Sequence, residues 1–211
     1  MSFLYFREKK WWRYLLFLLL TLTAAIFFLR RIHPKEKPFV PTELLAARIR
    51  GASISEGIVA GARESVNTLK TIRQAELGED YNTALNLVLT EIQKNEQVRE
   101  DALQLSYELV HITEKLAEVR PEEAAQVGLQ ATIYGAQITQ RLINYNTYTF
   151  QLLDLLKSHF MEGSGTQDTA IAEQIQGLID KMNEEAEAIN ALNNEYKKAM
   201  QQFDVLTNQT Q

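Results

Sequence analysis

Cysteine is absent from this sequence of 211 residues, which excludes disulfides, thiolate metal sites and thiol nucleophiles. The absence names no compartment, because cysteine-free chains occur on both sides of a membrane. Proline is scarce too: after Pro34, Pro38 and Pro41 the chain meets only Pro121, so long stretches are free of helix breakers. Positive charge is scarce in the larger part of the chain. Residues 1–37 hold 8 of the 22 Lys and Arg but only 2 of the 27 Asp and Glu, a net of +6, which leaves −11 on the remainder. An acidic body repels a phosphate backbone, so no nucleic-acid partner is expected.

What is present begins with an uncharged apolar run over residues 14–29. Trp11 and Trp12 extend it with side chains suited to the bilayer interface, Arg13 has the reach to snorkel outward, and Arg30 and Arg31 close it. At ~1.5 Å per residue, residues 11–29 cover about 28 Å, close to the ~30 Å hydrocarbon core. The run predicts a single-pass signal-anchor helix behind a basic tail, residues 1–13. A cleaved signal peptide competes, with Thr23-Ala24-Ala25 as its small-residue site. The apolar residues Ile26 to Leu29 continue past that point and favour the anchor. Flanking Lys and Arg tie: Arg7, Lys9, Lys10 and Arg13 before the run, Arg30, Arg31, Lys35 and Lys37 after it. The N-terminal amine tips the balance toward a cytoplasmic N-terminus. The expected location is therefore the plasma (inner) membrane, with the lipid bilayer as first partner and the rest of the chain extracytoplasmic. Residues 30–41 read as a basic, proline-containing linker, its last eight residues a spacer of roughly 25 Å at ~3.1 Å per residue.

From residue 42 to 207 the pattern is all-α: four helices over about 42–77, 81–119, 121–161 and 169–207, then a tail, 208–211. Thr42 and Asp168 stand where N-caps belong, and Pro121 stands in a first turn. Apolar residues recur every three and four positions. The fourth helix repeats from Ile171 through Ile175, Leu178 and Met182 to Phe203 and Leu206, broken only at Glu185. The third repeats from Ala124 through Gly128, Gly135, Ile138 and Tyr145 to Leu156. In the second, Leu85, Val88, Ile92 and Asn95 lead on to Val98, Leu105 and Leu116; in the first, Val59, Ala62, Val66 and Leu69 keep the beat. Such coiled-coil seams, joined by short loops, predict an up-down-up-down antiparallel four-helix bundle ~55–60 Å long.

Two features stand out once residues are matched by height. Small residues, Gly57 and Gly61 on the first helix and Gly128 and Gly135 on the third, form a packing stripe opposite bulky second and fourth helices. Each interior glycine costs about 1 kcal/mol against alanine, so close packing or movement is its expected return. At mid-height Arg63, Asn95, Tyr145 and Glu185 are expected to meet in one polar layer, fixing register, forming a small-ligand pocket or rotated out to solvent.

Chemistry is otherwise thin. Glu108 and His111 have the Glu-x-x-His spacing of di-iron bundles, but a second such pair is missing, and His111 reads as a half-buried bundle histidine. His159 has Asp154 and Glu162 close in sequence and reads as structural. Asn208-Gln-Thr210 matches a glycosylation triplet on the tail. No phosphate loop, catalytic triad or paired carboxylates appear, so no cofactor, no metal and no catalytic residue is expected. As an architecture this resembles the extracytoplasmic four-helix sensor domains of bacterial chemoreceptors and kinases. Those receptors carry a second membrane helix and a cytoplasmic output domain, which this sequence is expected to lack. The functional expectation is a non-enzymatic, membrane-anchored bundle acting as an envelope scaffold or protein-interaction module with a protein partner or as a homo-oligomer. The alternative is a sensor-like subunit that binds a small molecule and works through a membrane partner.

Overall fold

The computed structural model describes residues 37–162 and 169–209. They form four helices: α1, Thr42–Leu77; α2, Tyr81–Leu116; α3, Glu122–Glu162; and α4, Thr169–Leu206. No strand occurs among the described residues. Contacts run in opposite directions along each neighbouring pair. Arg50 meets Glu108 while Glu64 meets Lys94, and Gly128 lies against Phe203 while Arg141 meets Glu185. The helices therefore alternate up and down as a four-helix bundle. None of them is long and apolar enough to cross a membrane. The predicted anchor, with Trp11, Trp12, Arg13, Arg30 and Arg31, and the Asp168 cap lie outside the described residues.

Local signals set most helix ends. Asp80 caps α2 by accepting a hydrogen bond from the Thr83 amide at 3.1 Å. Between α1 and α2 the left-handed residue is Glu79, φ 56°, rather than Gly78. Thr42 does not cap α1. Pro41 occupies that position, and its carbonyl accepts from the Leu44 and Leu45 amides. Pro121 stands just outside α3 and accepts from Ala124 and Ala125 in the same way.

The second half of the expected spacer belongs to the bundle. The compact unit begins at Pro38. Phe39 and Arg120 exchange backbone hydrogen bonds of 3.0 and 2.9 Å across the α2–α3 turn. Val40 packs on the Leu44, Leu116 and Phe203 cluster, and Pro41 is fully buried. Apolar burial thus holds residues that proline content alone suggests are extended and free.

Packing between α1 and α2 follows a seven-residue beat, with Leu44, Gly51, Ile58, Ser65 and Ile72 buried. The seam expected on α1 is therefore corrected: Val59 and Val66 are 48% and 42% exposed, one position round the helix from the buried stripe. The small-for-large pairing is present elsewhere. A Cβ on Gly128 would lie 2.5 Å from Leu116 Cδ2 and 3.1 Å from the Phe203 ring; on Gly135, 2.9 Å from Leu109; on Gly61, 2.9 Å from Val98. Gly57 does not join this stripe. It is exposed, and a Cβ there would meet nothing nearer than Asp101 Oδ2 at 4.0 Å.

One seam differs from the other three. Among the described residues no Cα of α1 lies within 8 Å of any Cα of α4. The two helices are clasped at one end, where Arg48 Nη1 is 2.9 Å from Asp204 Oδ1 and the guanidinium stacks 5.4 Å from the Phe203 ring centroid.

Candidate functional site

Besides threonines that bond within their own helix, buried polar side chains pair at three places among the described residues, each between two neighbouring helices. Between α2 and α3, Asn146 Nδ2 donates to the Asn95 carbonyl at 2.9 Å and also to Asn95 Oδ1. Between α1 and α2, the Ser65 hydroxyl donates to Glu91 Oε1, while Glu91 Oε2 is buried without a partner. Between α3 and α4, Glu185 accepts from Arg141 Nη1 at 3.2 Å and from Asn144 Nδ2 at 3.2 Å. Near the first two pairs lies a cavity of about 20 Å³ bounded by Ser65, Asn95, Asn146 and Thr149, room for about one water.

The single layer of Arg63, Asn95, Tyr145 and Glu185 is thus corrected to separate pairs. Arg63 is exposed and joins none of them. It projects from α1, which stands apart from α4, so the cation that reaches Glu185 comes from α3 instead. Tyr145 is half-buried between the small cavity and a larger cleft, and burial raises its phenol above the ordinary value. Glu91, Ser65, Asn146 and Arg141 were not singled out by sequence reasoning. The signal for Glu91 existed: Val88, Glu91, Asn95 and Ala102 keep the helical rhythm, and Ile92 took its place only because it is apolar.

The larger cleft opens where α1 and α4 diverge, with a volume of about 350 Å³. Val66, Leu69 and Ile72 form one wall, and Ile175, Ile179 and Met182 the other. Tyr145, Leu152 and Leu156 of α3 form the floor. Lys70, Arg73 and Asn183 are exposed at the mouth. Glu76, the carboxylate in the lining, lies 3.6 Å from His159 Nε2.

That places His159 against α1 rather than beside Asp154, which pairs at 3.9 Å with Lys157. His159 Nδ1 is buried without a partner. His111 is exposed, 3.6 Å from Glu114, and not half-buried as expected. No group of three or more His, Asp or Glu among the described residues is arranged to hold a metal ion.

On the opposite side of the bundle runs an apolar surface. Leu89, Leu103 and Val110 share one heptad position of α2, with Tyr107 beside them; Leu129 and Phe150 share one position of α3, with Ile133 one turn from Leu129. All seven are exposed, Tyr107 at 69%. The register set by Asn95–Asn146 and Leu109–Gly135 puts the two rows on the outer side of the α2–α3 junction. Comparisons with protein-family models, curated proteins and solved structures find no match to this chain.

Proposed function

We propose that this chain is a single-pass membrane protein, tethered through residues 14–29, whose acidic helical bundle is a non-enzymatic interaction module on the extracytoplasmic side. The observation that carries the interaction is the row of exposed aliphatic and aromatic side chains on α2 and α3. Seven large apolar residues, five of them at heptad spacing, are core-type residues without a core, and large exposed apolar patches mark protein contact surfaces. The tether is supported by the uncharged run with its tryptophan and arginine flanks. The expected occupant of the face is a protein partner or a second copy of the chain.

The polar pairs support a register role. Each joins two neighbouring helices at one height, so a slip of either helix leaves buried polar groups unpaired. The sensor reading required one common pocket for these groups and has less support from three separate pairs.

Two experiments test the proposal. Single cysteines at Ser2 and at Gln209, probed with a membrane-impermeant maleimide on sealed cells, are expected to react at Gln209 alone. Reaction at Ser2 alone reverses the orientation, and recovery of the chain in the soluble fraction removes the tether. A photoreactive residue at Tyr107 or Ile133 in native membranes is expected to give a discrete protein adduct. A matching residue at Lys94, on the side of α2 that faces Glu64 of α1, is expected to give none; equal adducts from both discard the α2–α3 face.

A further inference from the structure

The cleft between α1 and α4 has no assigned role, and its chemistry is specific. Its walls and floor are aliphatic apart from Tyr145, and its 350 Å³ lies at the lower end of the ~300–1,000 Å³ range of small-molecule sites. It lies between two helices, with α3 at its base. The opening is not neutral. Lys70 and Arg73 stand on its α1 edge, one turn apart, and neither carries an ion pair. Glu76, the acid in the lining, is turned toward His159. A slot with apolar walls and two unpaired cations at the mouth is complementary to a ligand with an apolar tail and a negative head.

We propose that the α1–α4 cleft binds a single-chain anionic amphiphile, a medium-chain carboxylate, with its tail between Leu69, Ile72, Ile175 and Ile179 and its carboxylate at Lys70 and Arg73. The volume suits one chain and not a two-chain lipid. Neither the tether nor the α2–α3 face enters this assignment. Tail burial strengthens binding about fourfold per added methylene until the slot is full. The guanidinium of Arg73 suits a carboxylate bidentately, with Lys70 adding a point charge.

The test uses the full chain in nanodiscs of phosphatidylcholine and a dodecanoate carrying a terminal diazirine, with adducts mapped by mass spectrometry. Adducts are expected within residues 66–76 and 175–183. They should fall at least tenfold with the dodecanol analogue and, for the carboxylate, in the double variant Lys70→Gln/Arg73→Gln. Leu69→Trp or, independently, Ile179→Trp should abolish labelling by both probes while the circular dichroism stays helical. Labelling spread along the bundle, unaffected by both tryptophans, or equal for acid and alcohol overturns the assignment. A photoreactive residue at Leu69 that yields a covalent protein adduct or dimer in native membranes also overturns it, and gives the cleft to a partner helix or a second copy.

Discussion

The two ends of the bundle use opposite packing strategies. Toward the α2–α3 turn, small residues receive large ones: Gly128 sits beneath Phe203 and Leu116, Gly135 beneath Leu109, and Arg48 clasps Asp204 over the Phe203 ring. Toward the α1–α2 turn the core is Ile72, Ala84, Val88, Leu152, Leu153, Leu156, Phe160 and Met182, larger side chains apart from Ala84, with no glycine among them. There the gap between α1 and α4, which have no Cα pair within 8 Å among the described residues, widens into the 350 Å³ cleft. Close backbone approach is available only where side chains are absent. At the other end larger side chains line the gap between α1 and α4 and leave an apolar slot.

The contrast can be broken most severely at Phe203. Phe203→Ala removes the side chain that fills the glycine hollow and should cost about 4 kcal/mol, read by urea unfolding of the full chain. Glycine substitutions should sharpen it. Gly128→Ala drives a methyl into Leu116 and Phe203 and should lower stability by about 2 kcal/mol. Gly177→Ala, with nothing within 4 Å of the new Cβ, should raise it by about 1 kcal/mol through helix propensity alone. Equal signs at the two positions would show that propensity, not space, governs the closed end.

The polar pairs give a smaller and asymmetric effect. Arg141→Met leaves buried Glu185 with Asn144 as its remaining donor and should cost about 1–2 kcal/mol, moderated by the exposure of Arg141. Glu185→Leu leaves a solvated arginine and should be neutral or stabilising. Filling the cleft, as in Val66→Leu, should shift stability by no more than about 0.5 kcal/mol, the range of surface changes. On acidification two carboxylates matter. Hydrogen bonds from Arg50 hold Glu108 below its ordinary value, and the Thr83 side chain and amide do the same for Asp80. A lowered native value means stability that is present above the unfolded value, about pH 4, and lost as pH falls through the native one. Arg50→Gln should flatten that acid limb.

Helix number and bounds were legible because breakers and a three-four rhythm are local properties. Which face of α1 is buried was not. Two stripes compete there, and the one with Ser65 and Gly51 is less apolar than Val59, Ala62, Val66 and Leu69, yet it is the one that faces α2. Its rival in part lines the cleft, through Val66 and Leu69. The same bias hid Glu91 behind Ile92. Hydropathy reports which side chains avoid water; a buried hydroxyl–carboxylate pair satisfies its own needs and leaves no such trace. Arg63 was matched to Glu185 by height, but height along a rod says nothing of separation across it, and an open seam has no signature in the chain.

Because no Cα of α1 lies within 8 Å of α4 among the described residues, close backbone packing joins helices adjacent along the chain. Each hairpin is able to zip from its own turn, and no distant segment has to be found first. The closing of the clasp, between residues 156 positions apart, brings the first and last helices together at the end where Phe39 also pairs with Arg120. Such a topology folds on the fast side for its size, and its assembly is able to begin while the C-terminal helix is still being synthesised.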